Sequence, residues 1–204
     1  MNKTKILIIG NGSSVREHKL GKKIDSEFDI VIRFNRGYFE GIKGYEEYVG
    51  KRTDILIVHD GFAKPEYLTG DVLNSVHKIF VVIPNFKLQQ ELQRINSYGW
   101  GDKVQVIYDK YEEELNEMSD FGSSWPTTGL EGLYTMCKNY DDITIHGFDG
   151  WDKAYKYYHY FDEHEKRTTE NAWREGRTDH KLDAEIDCIK QLINKHNLKR
   201  LLDE

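Results

Sequence analysis

Near its beginning the chain reads KILIIGNGSS over residues 5–14, where a run of β-favouring residues passes directly into a glycine-rich turn. The apolar run predicts a short buried strand over residues 5–9. Glycine permits a sharp bend and a close backbone approach, while asparagine and serine supply hydrogen-bonding groups. Because ligands bind beyond the carboxyl ends of strands in open parallel sheets, the turn is a candidate binding loop. It is equally typical of an ordinary connection between a strand and a helix.

A dinucleotide-binding loop is disfavoured at this turn. That fingerprint needs a third glycine or an alanine where this chain has Val15. It also needs an acidic residue at the end of the second strand, where the chain has Asn35. Neither requirement is met, so an NAD-dependent enzyme of the Rossmann type is the weakest interpretation.

Apolar runs and helix-like segments alternate along the rest of the chain. Apolar residues at helical spacing predict helices that include residues 130–137 and 182–193. The alternation predicts an α/β fold, a single Rossmann-like domain over residues 1–204 with a mostly parallel sheet flanked by helices. Residues 149–179 lack a clean strand pattern and are rich in aromatics and charges, so we expect a mobile cover over the site. The predicted strands are Lys5–Ile9, Asp29–Phe34, Asp54–Val58, Lys78–Ile83, Lys103–Ile107 and Asp142–Ile145.

Composition argues against several classes of function. The formal net charge of the 204 residues is −6, and phosphate contacts need a basic surface, so no nucleic acid is expected as a partner. No apolar stretch is long enough to span a membrane. The two cysteines form no C-x-x-C motif, which favours a soluble protein of the reducing cytoplasm. The sequence has no D-x-D pair and no histidines at ligand spacing, so we expect no metal and no other cofactor.

Several short motifs occur in the order found in a known family. They are ILIIGNGSSV at 6–15, VIRFN at 31–35, VGKRT at 49–53, PTTG at 126–129, DITIHGF at 142–148, HYFD at 159–162, and His180 followed five residues later by Glu185. The series resembles the long, short, third and very short sialylmotifs of the eukaryotic-type sialyltransferases, glycosyltransferase family 29.

The resemblance implies a glycosyltransferase with a GT-A-variant fold that uses a CMP-sugar donor and a glycan acceptor. An acceptor hydroxyl would displace CMP from an acidic keto-sugar, sialic acid in the first place, with inversion at the anomeric carbon. The resemblance makes His180 the general base and brings His159 to the donor phosphate. Trp151 is the candidate acceptor-binding residue that would flank a sugar, and a surface or core role is its alternative. The implied donor-binding residues are Gly10, Asn11, Gly12, Ser13, Asn35, Thr127, Thr128, Gly129, Gly147, Phe148 and Tyr160.

The chemistry of His180 agrees with the role of base. A neutral imidazole accepts a proton near pH 7. We expect Asp179 to cap the following helix, so that the helix dipole keeps His180 neutral in the first turn. Glu185 would lie about 140° farther round that helix, and we predict that it supports structure by bonding a neighbouring loop. The alternative for His180 is a surface residue at the start of a helix.

Other residues also have plainer interpretations. His159 lies among aromatic residues that could simply pack on the core. Thr127 is a typical N-cap residue, and this role is compatible with anion binding by the free N–H groups of the helix. Arg33 is predicted to form an internal ion pair.

The chain departs from the family in its cysteines. The long motif contains none, and Tyr140 stands where the cysteine of the short motif would fall, so the disulfide of secretory members is not expected. We expect a cytoplasmic relative, microbial or viral, without stem or anchor. A CMP-Kdo-dependent transferase and a CMP- or sugar-binding module without catalysis stay open as alternatives. The sequence does not indicate the oligomeric state or the role of residues 61–123.

Overall fold

The computed structural model describes residues 3–108, 111–149, 156–157, 159–162 and 180–202. Within these residues seven strands form one sheet in which every pairing is parallel. The strands are β1 (Ile6–Ile9), β2 (Ile30–Phe34), β3 (Ile55–His59), β4 (Lys78–Ile83), β5 (Val104–Tyr108), β6 (Ile143–His146) and β7 (Lys199–Arg200). Their order across the sheet is β5-β4-β3-β2-β1-β6-β7.

The predicted α/β class and the six predicted strands are confirmed. No predicted strand end differs from the observed one by more than one residue. The sequence analysis missed β7. Its two residues, Lys199 and Arg200, are exposed and basic, so no apolar run marks them as a strand. The predicted cover over residues 149–179 lies mostly outside the described residues and stays a prediction.

The strand order contains one change of direction. From β1 to β5 each strand is added beside the previous one, and the chain then returns to place β6 on the other side of β1. The connections that leave β1 and β6 therefore run in opposite directions. Such a switch point opens a crevice at the carboxyl ends of the strands, which is where ligands bind in this class of sheet.

Helices cover both faces of the sheet. On β1, Ile6 and Ile8 belong to the same apolar cluster as the buried sides of two long helices, whereas Leu7 and Ile9 pack on the opposite face. This alternation follows from the two-residue period of a strand. The described helices are α1 (Gly21–Glu27), α2 (Asn35–Phe39), α3 (Glu46–Val49), α4 (Gly70–Ser75), α5 (Leu88–Ser97), α6 (Glu112–Met118), α7 (Thr128–Asn139) and α8 (Leu182–His196).

Arg33 is buried at 1% exposure, but the internal ion pair predicted for it is wrong. Its guanidinium donates hydrogen bonds to the carbonyls of Val49, Gly50 and Arg52 and to the hydroxyl of Thr53. Among the described residues no carboxylate forms an ion pair with it. These neutral oxygens partner Nε and Nη2, whereas the buried Nη1 has no hydrogen-bond partner. Arg33 thus fastens the loop that holds the VGKRT motif to β2.

The two cysteines lie in the core. Cys137 in α7 and Cys188 in α8 are free and buried, and burial raises the pKa of both thiols to about 12. They therefore act as small apolar side chains. None of the described helices combines the length and apolar character needed to cross a membrane.

The contact between β1 and β6 predicts an unequal response to two identical substitutions. In Gly10→Ala the added Cβ would lie 2.4 Å from the carbonyl oxygen of Gly147, which is backbone and cannot swing away. We expect the free energy of unfolding to fall by about 1–3 kcal/mol or more, as in overpacked cores. At Gly70, the first residue of α4, nothing lies within 4 Å of an added Cβ. Gly70→Ala should therefore change the free energy of unfolding by about 0.5 kcal/mol or less.

Urea denaturation of the wild type and both variants checks this expectation. Equal midpoints for the two variants would show that the strands do not approach each other as closely as the structure has them.

Candidate functional site

A cavity of about 230 Å³ lies at the carboxyl ends of β1, β2 and β6. It therefore occupies the switch point of the sheet, the place where the fold favours a ligand site. Its walls also include the N-terminus of α7 and one side of α8. The lining residues are Gly10, Asn11, Gly12, Phe34, Asn35, Arg36, Phe62, Thr127, Thr128, Gly129, Leu130, Gly147, Phe148, Asp149, His159, His180, Glu185 and Ile189.

The floor of the cavity is backbone. Gly10 N donates to the carbonyl of His146 over 2.7 Å, and Gly12 N donates to the carbonyl of Gly147 over 2.9 Å. Gly147 has a φ of +71°, in the left-handed region that favours glycine. The carboxylate of Asp149 accepts hydrogen bonds from Ser14 N, over 2.8 Å, and from the hydroxyl of Ser14. The two turns after β1 and β6 are thus locked to each other.

The structure brings eleven of the predicted site residues together around this cavity. They are Gly10, Asn11, Gly12, Asn35, Thr127, Thr128, Gly129, Gly147, Phe148, His159 and His180. Their contacts with a donor stay predictions. Asn35 keeps a φ of +39° and uses its side-chain oxygen to accept from His59 N over 2.7 Å, which shapes the exit from β2.

Two predicted donor-binding residues do not line the cavity, and the predicted acceptor-binding residue lies outside the described residues. The hydroxyl of Ser13 donates to the carbonyl of Tyr157, so it faces a neighbouring segment. Tyr160 is 1% exposed and supports the site from below. Its backbone N donates to the carbonyl of Asn11 over 3.0 Å and its hydroxyl to the carbonyl of Gly37 over 3.3 Å. Trp151 is not among the described residues.

The protonation of the His180 ring follows from its contact with Trp125. Nδ1 of His180 lies 2.8 Å from the carbonyl oxygen of Trp125. A carbonyl oxygen only accepts hydrogen bonds, so Nδ1 must carry the proton. In the neutral ring Nε2 is then the nitrogen with the lone pair, which is the form that a general base requires.

The sequence predicted that His180 lies in the first turn of a helix, and this prediction is wrong. Helix α8 begins at Leu182 after the extended residue Lys181, whose side chain makes no cap bond. The predicted cap, Asp179, lies outside the described residues. The carbonyl of Trp125 determines which ring nitrogen carries the proton in the neutral form of His180.

Glu185 bonds a neighbouring loop, as predicted. It is 3% exposed, and its carboxylate accepts hydrogen bonds from the backbone N of Thr127 and, over 2.9 Å, from the hydroxyl of Thr127. The same hydroxyl accepts from Leu130 N over 3.2 Å, so Thr127 is also the N-cap of α7. Burial raises the pKa of Glu185 to about 7, although the two bonds from Thr127 act in the other direction.

His159 belongs to a charged group that the sequence analysis did not find. Asp162 is 0% exposed, and its carboxylate lies 3.0 Å from Nδ1 of His159 and 3.5 Å from Nη1 of Arg36. Neither contact has hydrogen-bond geometry. The ring of Phe161 contacts both basic side chains: it stacks on His159 with centroids 5.1 Å apart, and its centroid lies 5.2 Å from the guanidinium carbon of Arg36.

Sequence reasoning missed Arg36, Asp149 and Asp162 for different reasons. Arg36 follows Asn35 directly, so the exit of the second strand was a signal that could have found it. Asp149 follows the Gly147-Phe148 pair in the same way. Asp162 is the last residue of the quoted HYFD motif, but only the fold shows that it lies close to two basic side chains. No group of three or more potential metal ligands occurs among the described residues.

The state of Glu185 generates a prediction about stability and pH. A carboxyl group with a raised pKa stabilises the fold while it is protonated, and this contribution is lost as pH rises from its ordinary value of 4.5 to about 7. Over this window the free energy of unfolding of the wild type should fall relative to that of Glu185→Gln by up to about 3 kcal/mol. Chemical denaturation at a series of pH values measures the difference. If the free energy of unfolding of the two proteins changes with pH in the same way, the pKa of Glu185 is not raised by burial.

Comparison with known proteins agrees with this architecture. Residues 4–98 match the sequence model described as glycosyltransferase family 29 (sialyltransferase). The type 2 lactosamine alpha-2,3-sialyltransferase of Homo sapiens is 32% identical over 100 residues, which cover 49% of this chain and 27% of the relative. Sialyltransferase-like protein 2 of Arabidopsis thaliana is 27% identical over 150 residues, which cover 73% of this chain and 30% of the relative. The chain thus spans about three tenths of these curated relatives.

A solved structure extends the likeness to almost the whole fold. A mammalian sialyltransferase, crystallised in complex with Gal-beta-1-3GalNAc-ortho-nitrophenol, superposes with a TM-score of 0.65. The match covers 98% of this chain and 69% of that one at 17% identity, so it concerns the fold. Similarity to glycosyltransferase family 29, the family of the sialyltransferases, thus covers nearly half of the sequence, and the fold shared with a solved sialyltransferase covers almost the whole chain.

Proposed function

We propose that this protein is an inverting glycosyltransferase that moves an acidic keto-sugar, sialic acid in the first place, from its CMP-activated form to a hydroxyl of an acceptor glycan. The observation that carries the proposal is the Nδ1 contact of His180 with the carbonyl of Trp125, because it leaves Nε2 as a base at the wall of the cavity. The similarity of residues 4–98 to the sialyltransferase family supports this class of donor.

The reaction requires one proton transfer to the protein. The acceptor oxygen forms a bond to the anomeric carbon while the bond between that carbon and the phosphate oxygen breaks, and CMP leaves with the electron pair. The proton of the acceptor hydroxyl passes to Nε2 of His180. A base positioned in this way typically contributes a factor of about 10² to 10⁴ to the rate.

The group of His159, Arg36 and Asp162 suits the departing phosphate. A carboxylate beside an imidazole favours its protonated form, so Asp162 would keep His159 positively charged. Both His159 and Arg36 line the cavity and could meet the charge that grows on the leaving oxygen. Asp162 acts through these two cations and is a positioning residue.

The N-terminus of α7 suits a second anionic group of the donor. The helix has 12 residues, and Thr127, Thr128, Gly129 and Leu130 at its start line the cavity. Free N–H groups and the positive end of the helix dipole attract an anion. The carboxylate of the keto-sugar is the group that we assign to this end. With a monophosphate as leaving group, we propose that the transfer needs no metal ion.

The base role of His180 is tested by CMP release. The purified chain is given CMP-sialic acid or CMP-Kdo in separate reactions with EDTA, and CMP is measured by chromatography. Type 2 lactosamine and Gal-beta-1-3GalNAc, named for two of the similar proteins, serve as acceptors. We expect release from CMP-sialic acid, and His180→Ala should lower kcat at least about 100-fold.

His77→Ala is the matched control, because this histidine lies outside the cavity with 84% of its side chain exposed. Its activity should equal that of the wild type. If CMP is released from CMP-Kdo but not from CMP-sialic acid, the donor is CMP-Kdo and the proposed sugar is wrong. Binding of CMP without release would favour a binding module, and a protein that binds no CMP would overturn the proposal.

The positioning role of Asp162 predicts a change in the pH profile. In Asp162→Asn the carboxylate charge beside His159 is lost, so the ring loses its proton at lower pH. We expect kcat to fall about 10- to 100-fold. We also expect the decrease of kcat at alkaline pH to begin at a lower pH than in the wild type. Exposed Asp71→Asn is the control, and thermal unfolding reports any loss of structure. A uniform loss of activity without a shift of the profile would leave Asp162 a structural residue.

A further inference from the structure

A pair of aromatic rings lies near the general base. Phe86 is 67% exposed, the highest value among the large apolar side chains that the structure describes as exposed. Its ring packs against that of the partly buried Trp125, with centroids 5.2 Å apart and planes tilted by 40°. Single apolar side chains on a surface need no explanation. An exposed ring that packs against a second aromatic ring is more informative.

The pair is connected to His180 by a direct bond. The carbonyl of Trp125 accepts from Nδ1 of His180 over 2.8 Å, so the indole ring belongs to the same residue that orients the base. Among the described residues that line the cavity, neither Phe86 nor Trp125 appears. The two rings therefore lie outside the lining of the proposed donor cavity, and Trp125 contacts His180 through its backbone.

We propose that Phe86 and Trp125 form the platform on which a pyranose ring of the acceptor glycan stacks, so that one of its hydroxyls reaches Nε2 of His180. The inference rests on the proposed function and adds the place where the second substrate binds. It also gives a role to part of the segment 61–123, for which the sequence indicated none.

The chemistry of a sugar fits this surface. A pyranose has a face of C–H groups that packs on an aromatic ring, while its edge carries hydroxyls that need polar partners. Lys87 supplies such a partner, since its Nζ lies 5.4 Å from the centroid of the Phe86 ring and 3.3 Å from a carboxylate oxygen of Asp60. Holding the acceptor here would convert an encounter in solution into a reaction between oriented groups.

The test separates acceptor binding from catalysis. In Phe86→Ala we expect the KM for the acceptor to rise about tenfold, equivalent to about 1.4 kcal/mol, with kcat and the KM for the CMP-sugar within about twofold of the wild type. Phe86→Trp should restore the acceptor KM because it restores the aromatic face. Leu202→Ala is the control, since Leu202 is also apolar and 46% exposed but lies outside the cavity lining and the ring pair. An unchanged acceptor KM in Phe86→Ala would overturn the platform.

A second measurement does not depend on transfer. Saturation-transfer NMR with type 2 lactosamine and Gal-beta-1-3GalNAc compares binding to the wild type and to Phe86→Ala without any donor. Signals that the wild type gives and the variant loses support the platform, even if CMP release fails and the proposed reaction falls. Equal signals for the two proteins, including no signal for either, overturn it.

Discussion

The backbone contact between the turns after β1 and β6 is the constraint on which the site depends. Gly10 and Gly12 donate to the carbonyls of His146 and Gly147, and a side chain on Gly10 would collide with the second of these carbonyls. The crevice opens at this point because the connections diverge from it. Its floor is made of backbone, so the floor holds its shape independently of side-chain rotamers, and the chemical groups stand on the elements around it.

Buried polar side chains fasten those surrounding elements to the sheet. Arg33 holds the loop of residues 49–53 through carbonyl oxygens, Glu185 holds the start of α7, and Asp162 lies close to both Arg36 and His159. Removing one partner from such a group leaves the other buried without compensation, which destabilises a fold far more than the intact group stabilises it. The same contacts that form the fold therefore also set the charge of the cavity wall.

The sequence predicted the six long strands because buried parallel strands read as apolar runs, and it predicted the loops at their ends because those loops carry glycine, asparagine and serine. It could not separate Asn11, which lines the cavity, from Ser13, which turns away, since the direction of a side chain in a tight turn depends on the fold. A helix dipole was expected to act on His180, but the contact that orients its ring comes from a carbonyl 55 residues away in the chain. Contacts of that range leave no periodic pattern to read.

The strand β7 has a consequence for how molecules of this protein meet one another. It pairs with β6 through two residues, both exposed and both basic, and Lys199 is held by Asp142 at 2.9 Å. An open strand edge is a template for a strand of another molecule, but two residues offer few backbone groups for pairing. Their positive charges also repel the same margin of a second copy. Among the described residues, this margin of the sheet therefore offers little backbone to a strand of another molecule.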